Sequence, residues 1–222
     1  MPSAWCFSPE QIDHAALPQR PLTFGCFNNS AKFSPACVEL FALVLRALPA
    51  ARLQLKAFGF ADAPTRDRVV ARFVEHGVSA WRLSVLPPDR EPHAHLQRYR
   101  EIDIALDTWP YHGTTTTCEA LSMGVPVLCL AGSKHASRVG VSLLSQLGAS
   151  DWLAPDRARF VANALRLSEP GALAAARDGL TERFRRALCD GSRFAAEFGE
   201  RVREHWRERC SRESQNPNRS PA

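Results

Sequence analysis

The stretch Asp107-Thr-Trp-Pro-Tyr-His-Gly-Thr-Thr-Thr-Thr-Cys-Glu119 concentrates the side chains in this chain that can do chemistry. It begins where an apolar run ends (Ile102, Ile104, Ala105, Leu106) and leads into another, Val125 to Leu130. Between them lie a turn with Pro110 and Gly113, four consecutive threonines, and a helix-like patch of Ala120, Leu121 and Met123. That order reads as strand, loop, helix, strand. The hydroxyls of Thr114, Thr115, Thr116 and Thr117 are delivered to a helix N-terminus, where free N–H groups and the helix dipole favour an anion. Open α/β sheets bind their ligands at this carboxyl edge.

A phosphate site also needs a cation. Lys32 follows the first strand, in a loop that a doubly wound sheet can bring to the same edge. Glu119, behind the threonines, can accept both hydroxyls of a ribose, as the acidic residue does in dinucleotide folds. His95 and Arg98, three apart on one helical face, can flank a flat base. Each has a plainer reading. A threonine run can be a cap with β-branched filler, Lys32 a surface lysine, and Glu119 a dipole partner worth at most about 1 kcal/mol. Tyr111 and His112 can assist a leaving group or be solvated loop residues. The residues alone leave these readings open.

Other chemistries find no support. GxSxG, a Walker lysine loop, GxGxxG and HExxH are all absent. Asp103 and Asp107 are four apart, but Asp103 falls inside a strand, and no side chain has an evident partner as a general base. His93 and His95, two apart, do not share a helical face, so no metal is expected. Seven cysteines, an odd number without CxxC spacing, make neither a zinc site nor a disulfide framework. Buried thiols in a reducing, cytoplasmic setting fit them better.

Composition bounds the classes. The chain has 222 residues, 45% of them hydrophobic, enough for one large core. No apolar run approaches the roughly 20 residues of a membrane span, and the start lacks a signal-peptide layout. The formal charge of +5 invites a nucleic-acid partner. However, many arginines fall in the last third, interleaved with glutamates as on a solvated helix face, and no nucleic-acid recognition signature accompanies them.

The elements that must position these residues follow in order. Residues 1–20 read as an N-terminal arm. Leu22 to Phe27 is a strand, and Ser34-Pro35 opens a helix with Val38, Leu40, Phe41, Val44, Leu45 and Leu48 inward. Ala51 to Ala57 alternates as a strand, Pro64-Thr65 opens a helix ended by Gly77, and Trp81 to Leu86 is a third strand. Glu91 to Tyr99 makes a short helix and Ile102 to Leu106 the fourth strand. Ser137 to Leu147 is helical, and Asp151 to Ala154 is a short sixth strand. Such alternation is an α/β, doubly wound, parallel sheet of Rossmann-like type. From about 156 the chain is helical only, with Pro170-Gly171 and Asp190-Gly191 dividing it into three helices. The domain spans 21–208, and 209–222 is a disordered tail.

Taken together, Cys26-Phe-Asn-Asn-Ser-Ala-Lys32, Asp103-Ile-Ala-Leu-Asp107, Tyr111-His-Gly-Thr-Thr-Thr-Thr-Cys-Glu-Ala-Leu121, Gly124-Val-Pro-Val127 and Ser137-Arg-Val-Gly-Val-Ser-Leu-Leu144 resemble the O-GlcNAc transferase family. The resemblance is closest to bacterial members, in which tetratricopeptide repeats precede the catalytic region. It implies the C-terminal half of a GT-B glycosyltransferase, binding UDP-GlcNAc or a related UDP-sugar for inverting transfer to protein Ser/Thr without a metal or other cofactor. By the same resemblance Lys32 holds the donor diphosphate and carries the catalytic role of stabilising the departing UDP. Asn29 is its polar neighbour, His95 and Arg98 lie beside uracil and ribose, and Thr115 and Thr116 contact the diphosphate. Glu119 takes the ribose hydroxyls. Thr114 stands where animal members carry a histidine, so its contact departs from their pattern. The half that holds the protein acceptor lies upstream in the family. The alternative is a non-catalytic nucleotide-sugar-binding or interaction module, and a third reading is a Rossmann protein for another phosphorylated ligand.

Overall fold

The computed structural model describes residues 20–89 and 91–214. The expected arm, apart from Arg20, therefore lies outside the described residues. Six strands, β1 (Thr23–Cys26), β2 (Arg52–Lys56), β3 (Leu83–Leu86), β4 (Ile104–Leu106), β5 (Val127–Leu130) and β6 (Leu153–Ala154), form one sheet in the order β3-β2-β1-β4-β5-β6. Every pairing is parallel. The strand order reverses between β1 and β4, so their carboxyl ends flank the switch-point crevice.

The helices between the strands are α1 (Pro35–Ala47), α2 (Ala63–Glu75), α3 (Pro92–Gln97), α4 (Thr115–Ser122) and α5 (Val139–Gln146). After β6 come α6 (Arg157–Ser168), α7 (Pro170–Arg177), α8 (Leu180–Leu188) and α9 (Gly191–Ser214). Helix α1 packs on α2 and α6, whereas α4 and α5 pack on α8, which covers both faces of the sheet. Hence β4 and β5 are buried along their whole length, as parallel strands covered on both sides must be. The start signals hold locally. Ser34 accepts from the Cys37 amide ahead of Pro35, and Asp62 and Asp156 cap α2 and α6 in the same way.

The structure departs from the sequence reading in four places. The strands are shorter at their ends than expected, and Asp103 precedes β4 rather than lying within it. There its carboxylate accepts two bonds from Arg20, at 2.8 and 2.9 Å, and one from the Thr23 amide at 2.7 Å. Strand β2 alternates as read, yet its polar members Gln54 and Lys56 are buried along with its leucines. The C-terminal region holds four helices after β6 instead of three. Gly179, at φ +60°, sits between α7 and α8 in a left-handed conformation, one that a side chain disfavours. Finally, α9 continues to Ser214, past the expected domain end at 208, because its Arg/Glu pairs at helical spacing support helix as well as solubility. The rest of the expected tail, 215–222, lies outside the described residues. Phe198, Val202 and Trp206 of α9 face solvent.

Arg82, just before β3, makes a contact that spacing does not reveal. Its guanidinium is buried and donates to the carbonyls of Leu45, Leu48 and Ala51 at 2.7, 2.8 and 2.8 Å. Those are the carbonyls left over at the end of α1 and the turn into β2. Arg82→Met is expected to remove this shared donor from all three, Leu48 keeping the Ala51 amide, and to lower unfolding free energy by about 3 kcal/mol. Urea denaturation checks this; a midpoint equal to the unaltered protein's counts against the capping role.

Candidate functional site

Loops after β1 and β4 meet at the switch point, and Asn28 is the hub between them. Residues 26–28 leave β1 apolar and end in this asparagine, which is 5% exposed. Its Oδ1 accepts from Lys32 Nζ at 3.2 Å and from Thr116 Oγ1 at 3.0 Å. Lys32 closes a short helical turn, Ser30–Lys32, whose start is capped by Asn29 accepting from the Ala31 amide. The Lys32 ammonium also donates to the His112 carbonyl at 2.8 Å and lies 4.4 Å from the centre of the Tyr111 ring. Burial pushes its pKa below the ordinary lysine value, and the nearby Asp107 carboxylate and Cys26 thiol act in the opposite direction.

The β4–α4 loop is fixed from beneath. Asp107, buried at the end of β4, accepts the Gly113 amide at 2.7 Å on Oδ1 and the Cys129 thiol at 3.2 Å on Oδ2. Burial pushes its carboxyl upward, opposed by His112, the Gly113 amide, the Cys129 thiol and Lys32. Gly113 must be glycine, because a Cβ there would stand 2.6 Å from Thr116 Oγ1 and 2.8 Å from Thr117 Oγ1. The first backbone bond of α4 runs from Cys118 to Thr114. The amides of Thr115, Thr116 and Thr117 therefore have no acceptor within the helix. They open beside Lys32, as an anion seat requires.

His112 corrects an expectation. It is neither solvated nor turned toward the phosphate seat: its ring is buried, with Nδ1 accepting from the Gly140 amide at 3.1 Å and Nε2 donating to the Leu130 carbonyl at 2.9 Å. Only its backbone oxygen reaches Lys32. Asp107, His112 and Cys129 bring ligand-type atoms within 4.8 Å of one another. Each of those atoms is already engaged in the hydrogen bonds just given.

Beside the anion seat lies a cleft of about 530 Å³, lined by Phe27, Asn29, Phe58, His95, Thr116 and Glu119 among others. His95 Nε2 meets Glu119 Oε2 at 2.8 Å, and the buried Tyr99 hydroxyl lies 3.1 Å from the same oxygen. The structure thus brings Asn29, His95, Thr116 and Glu119 into one cleft, with Lys32 next to it and Thr114 and Thr115 exposed at the helix start. Arg98 is the exception. It ends α3 with its guanidinium on Asp89 at 3.1 Å and Glu101 at 2.9 Å, and it does not line the cleft. Burial acts upward on Asp89, yet hydrogen bonds and charge from Lys56 and Arg98 prevail and hold its carboxyl below the usual value. Asn28, Lys56, Asp89 and Tyr99 went unnoticed as site residues. A polar residue ending an apolar strand at the carboxyl edge is the signal that marks Asn28 and Lys56.

A parallel sheet whose switch point carries a cation, a capless helix N-terminus and a carboxylate-lined cleft defines a Rossmann-like domain of the GT-B glycosyltransferase kind. The chain belongs to glycosyl transferase family 41, whose model matches residues 9–197. It is 39% identical over 212 residues to the probable UDP-N-acetylglucosamine–peptide N-acetylglucosaminyltransferase SPINDLY of Solanum lycopersicum, covering 92% of this chain and 23% of that protein. A mutant of the Thermobaculum terrenum O-GlcNAc transferase superposes with a TM-score of 0.81 at 38% identity, covering 86% of this chain and 37% of the other. The sucrose-phosphate synthase of Thermosynechococcus elongatus shares the fold alone, with a TM-score of 0.60 at 14% identity over 86% of this chain and 46% of that one. The chain spans between 21% and 24% of the length of the SPINDLY relatives it matches. Among the described residues no helix is long and apolar enough to cross a membrane.

Proposed function

We propose that this domain is the donor half of a protein O-glycosyltransferase, binding UDP-GlcNAc or a related UDP-sugar. The observation that carries the reading is the convergence of Lys32, Asn28 and Thr116 on the open amides of α4, beside a cleft walled by Glu119. The diphosphate sits on the amides of Thr115–Thr117 with Lys32, and the ribose diol on Glu119. The base enters the cleft near His95, with Arg98 braced behind it through Asp89. In the transfer, an acceptor Ser/Thr oxygen attacks the anomeric carbon while the bond from that carbon to the β-phosphate oxygen breaks, with inversion. Negative charge grows on the departing UDP, where Lys32 and the α4 amides are fixed in advance to receive it. They take the part a metal plays elsewhere, so chelator is expected to leave UDP binding unchanged in calorimetry.

Protein acceptor binding, and any general base, belong in this reading to a half that precedes the domain, with tetratricopeptide repeats and a cytoplasmic setting as in the family. The alternative is a nucleotide-sugar-binding module without transfer. Adding an upstream half and following UDP release from UDP-GlcNAc separates the two.

Donor binding has a direct test. UDP at about 100 times its Kd stabilises the folded state by about 2.7 kcal/mol, a melting shift of about 5–10 °C for a domain this size. No shift with UDP, or an equal shift with ADP and GDP, rejects a uridine site.

A further inference from the structure

Lys56 ends β2 at the edge of the cleft, with its side chain 4% exposed. Its ammonium donates to Asp89 Oδ2 and to His95 Nδ1, both at 2.5 Å. An ammonium has only donors, so Nδ1 of His95 must be the acceptor and the ring proton resides on Nε2. That N–H then points at Glu119 Oε2, 2.8 Å away. With the Tyr99 hydroxyl near the same oxygen, Oε2 is committed, and Oε1 has no protein donor among the described residues. The chain Asp89–Lys56–His95–Glu119 thus links β2, the loop before α3, α3 and α4 through one line of hydrogen bonds.

We propose that Lys56 is a positioning residue for the nucleotide: by donating to His95 Nδ1 it fixes the Nε2–H tautomer, which clamps Glu119 by Oε2 and leaves Oε1 for a vicinal diol. This rests on the donor reading above. Without the Lys56 donor the Nδ1–H ring becomes accessible, which turns a lone pair toward Glu119, and the carboxylate loses the orientation that two hydroxyls require. Asp89 confines the Lys56 ammonium, and Arg98, on the other Asp89 oxygen at 3.1 Å, confines Asp89.

The test compares UDP with 2′-deoxy-UDP, which lacks one diol hydroxyl. In the unaltered protein UDP is expected to bind about tenfold tighter, the effect of one hydrogen bond to a charged group. Lys56→Met should weaken UDP about tenfold while barely moving 2′-deoxy-UDP, so that the preference collapses. Lys56→Arg, which keeps a donor, should retain it. Nitrogen-15 NMR of His95 in the ligand-free protein should show the Nε2–H form before the Lys56→Met change and a mixture after it. An unchanged tautomer, or equal weakening of both nucleotides, overturns the role. Should Lys56→Met fail to fold, His95→Leu, which removes the donor to Glu119 at a more exposed position, must collapse the same preference, and its failure to do so is equally decisive. Lack of UDP binding by the unaltered protein overturns the donor reading instead, and the tautomer measurement still judges Lys56.

Discussion

Lys32→Met is expected to weaken UDP binding about a hundredfold, or about 2.7 kcal/mol, while the fold loses little. The ammonium lies against three groups that all belong to the anion seat: Asn28, the His112 carbonyl and the Tyr111 ring. Methionine keeps an unbranched stem beneath that ring. It removes the cation that shares Asn28 with Thr116 at the start of α4, where a diphosphate would sit, and charge-assisted bonds are the strong ones in such a site. Its cost to the free protein is small, because the desolvation of a half-buried ammonium vanishes along with its two bonds. Calorimetric titration with UDP alongside urea unfolding separates the two effects. Affinity equal to the unaltered protein's removes Lys32 from the site, and a collapse of stability would make its role structural. The pH dependence has a definite sign. Burial lowers the Lys32 pKa, so the ammonium that binds the diphosphate is lost on the alkaline side at a pH below the ordinary lysine range. UDP affinity should fall there in the unaltered protein and stay flat in Lys32→Met.

How far the site was legible in sequence depended on the range of the contacts. The β4–loop–α4 unit is local: an apolar run, Gly113, the threonines and Glu119 fix strand, turn and helix start within a few residues, and the structure follows them. The pairing of β1 with β4 was accessible through the doubly wound rule, which is why Lys32 arrives beside the threonines from 80 residues away. The Lys56 network was not legible. Leu53 and Leu55 alternate with Gln54 and Lys56, a pattern that ordinarily puts the polar pair in water. Only tertiary placement of Asp89 and His95, 33 and 39 residues further on, makes a buried lysine tolerable. The sequence also assigned His112 by its neighbourhood and could not tell that Gly140, on α5, turns its ring inward. Arg98 was matched to its position in the family, but its charge is spent on Asp89 and Glu101.

Asp107→Ala is expected to cost about 3 kcal/mol of stability and to abolish measurable UDP binding, although Asp107 touches no ligand in the proposed reading. Its Oδ1 is the acceptor for the Gly113 amide at 2.7 Å, and that amide is buried. An orphaned buried donor costs about 1–3 kcal/mol, and the small cavity left by the carboxylate adds to it. More consequential for function, Gly113 packs so closely on Thr116 and Thr117 that no Cβ fits between them, so a loop freed from Asp107 is expected to disturb the hydroxyl that bonds Asn28. Asp107→Asn is the informative companion: it keeps an oxygen for Gly113, removes the charge, and puts an amide NH2 where Oδ2 accepted the Cys129 thiol, whose sulfur can accept in turn. The folded pKa of Asp107 is raised by burial, so its stabilising contribution is full below the unfolded value and is lost as pH rises through the folded one. The ionised form is therefore a burden at neutral pH, and the asparagine variant should stay near the unaltered stability there while losing that part of the pH dependence. Urea unfolding across pH, with UDP titration at neutral pH, reads both variants. If alanine and asparagine destabilise equally, the charge rather than the Gly113 bond anchors the loop; if neither does, Asp107 does not hold the phosphate seat in place.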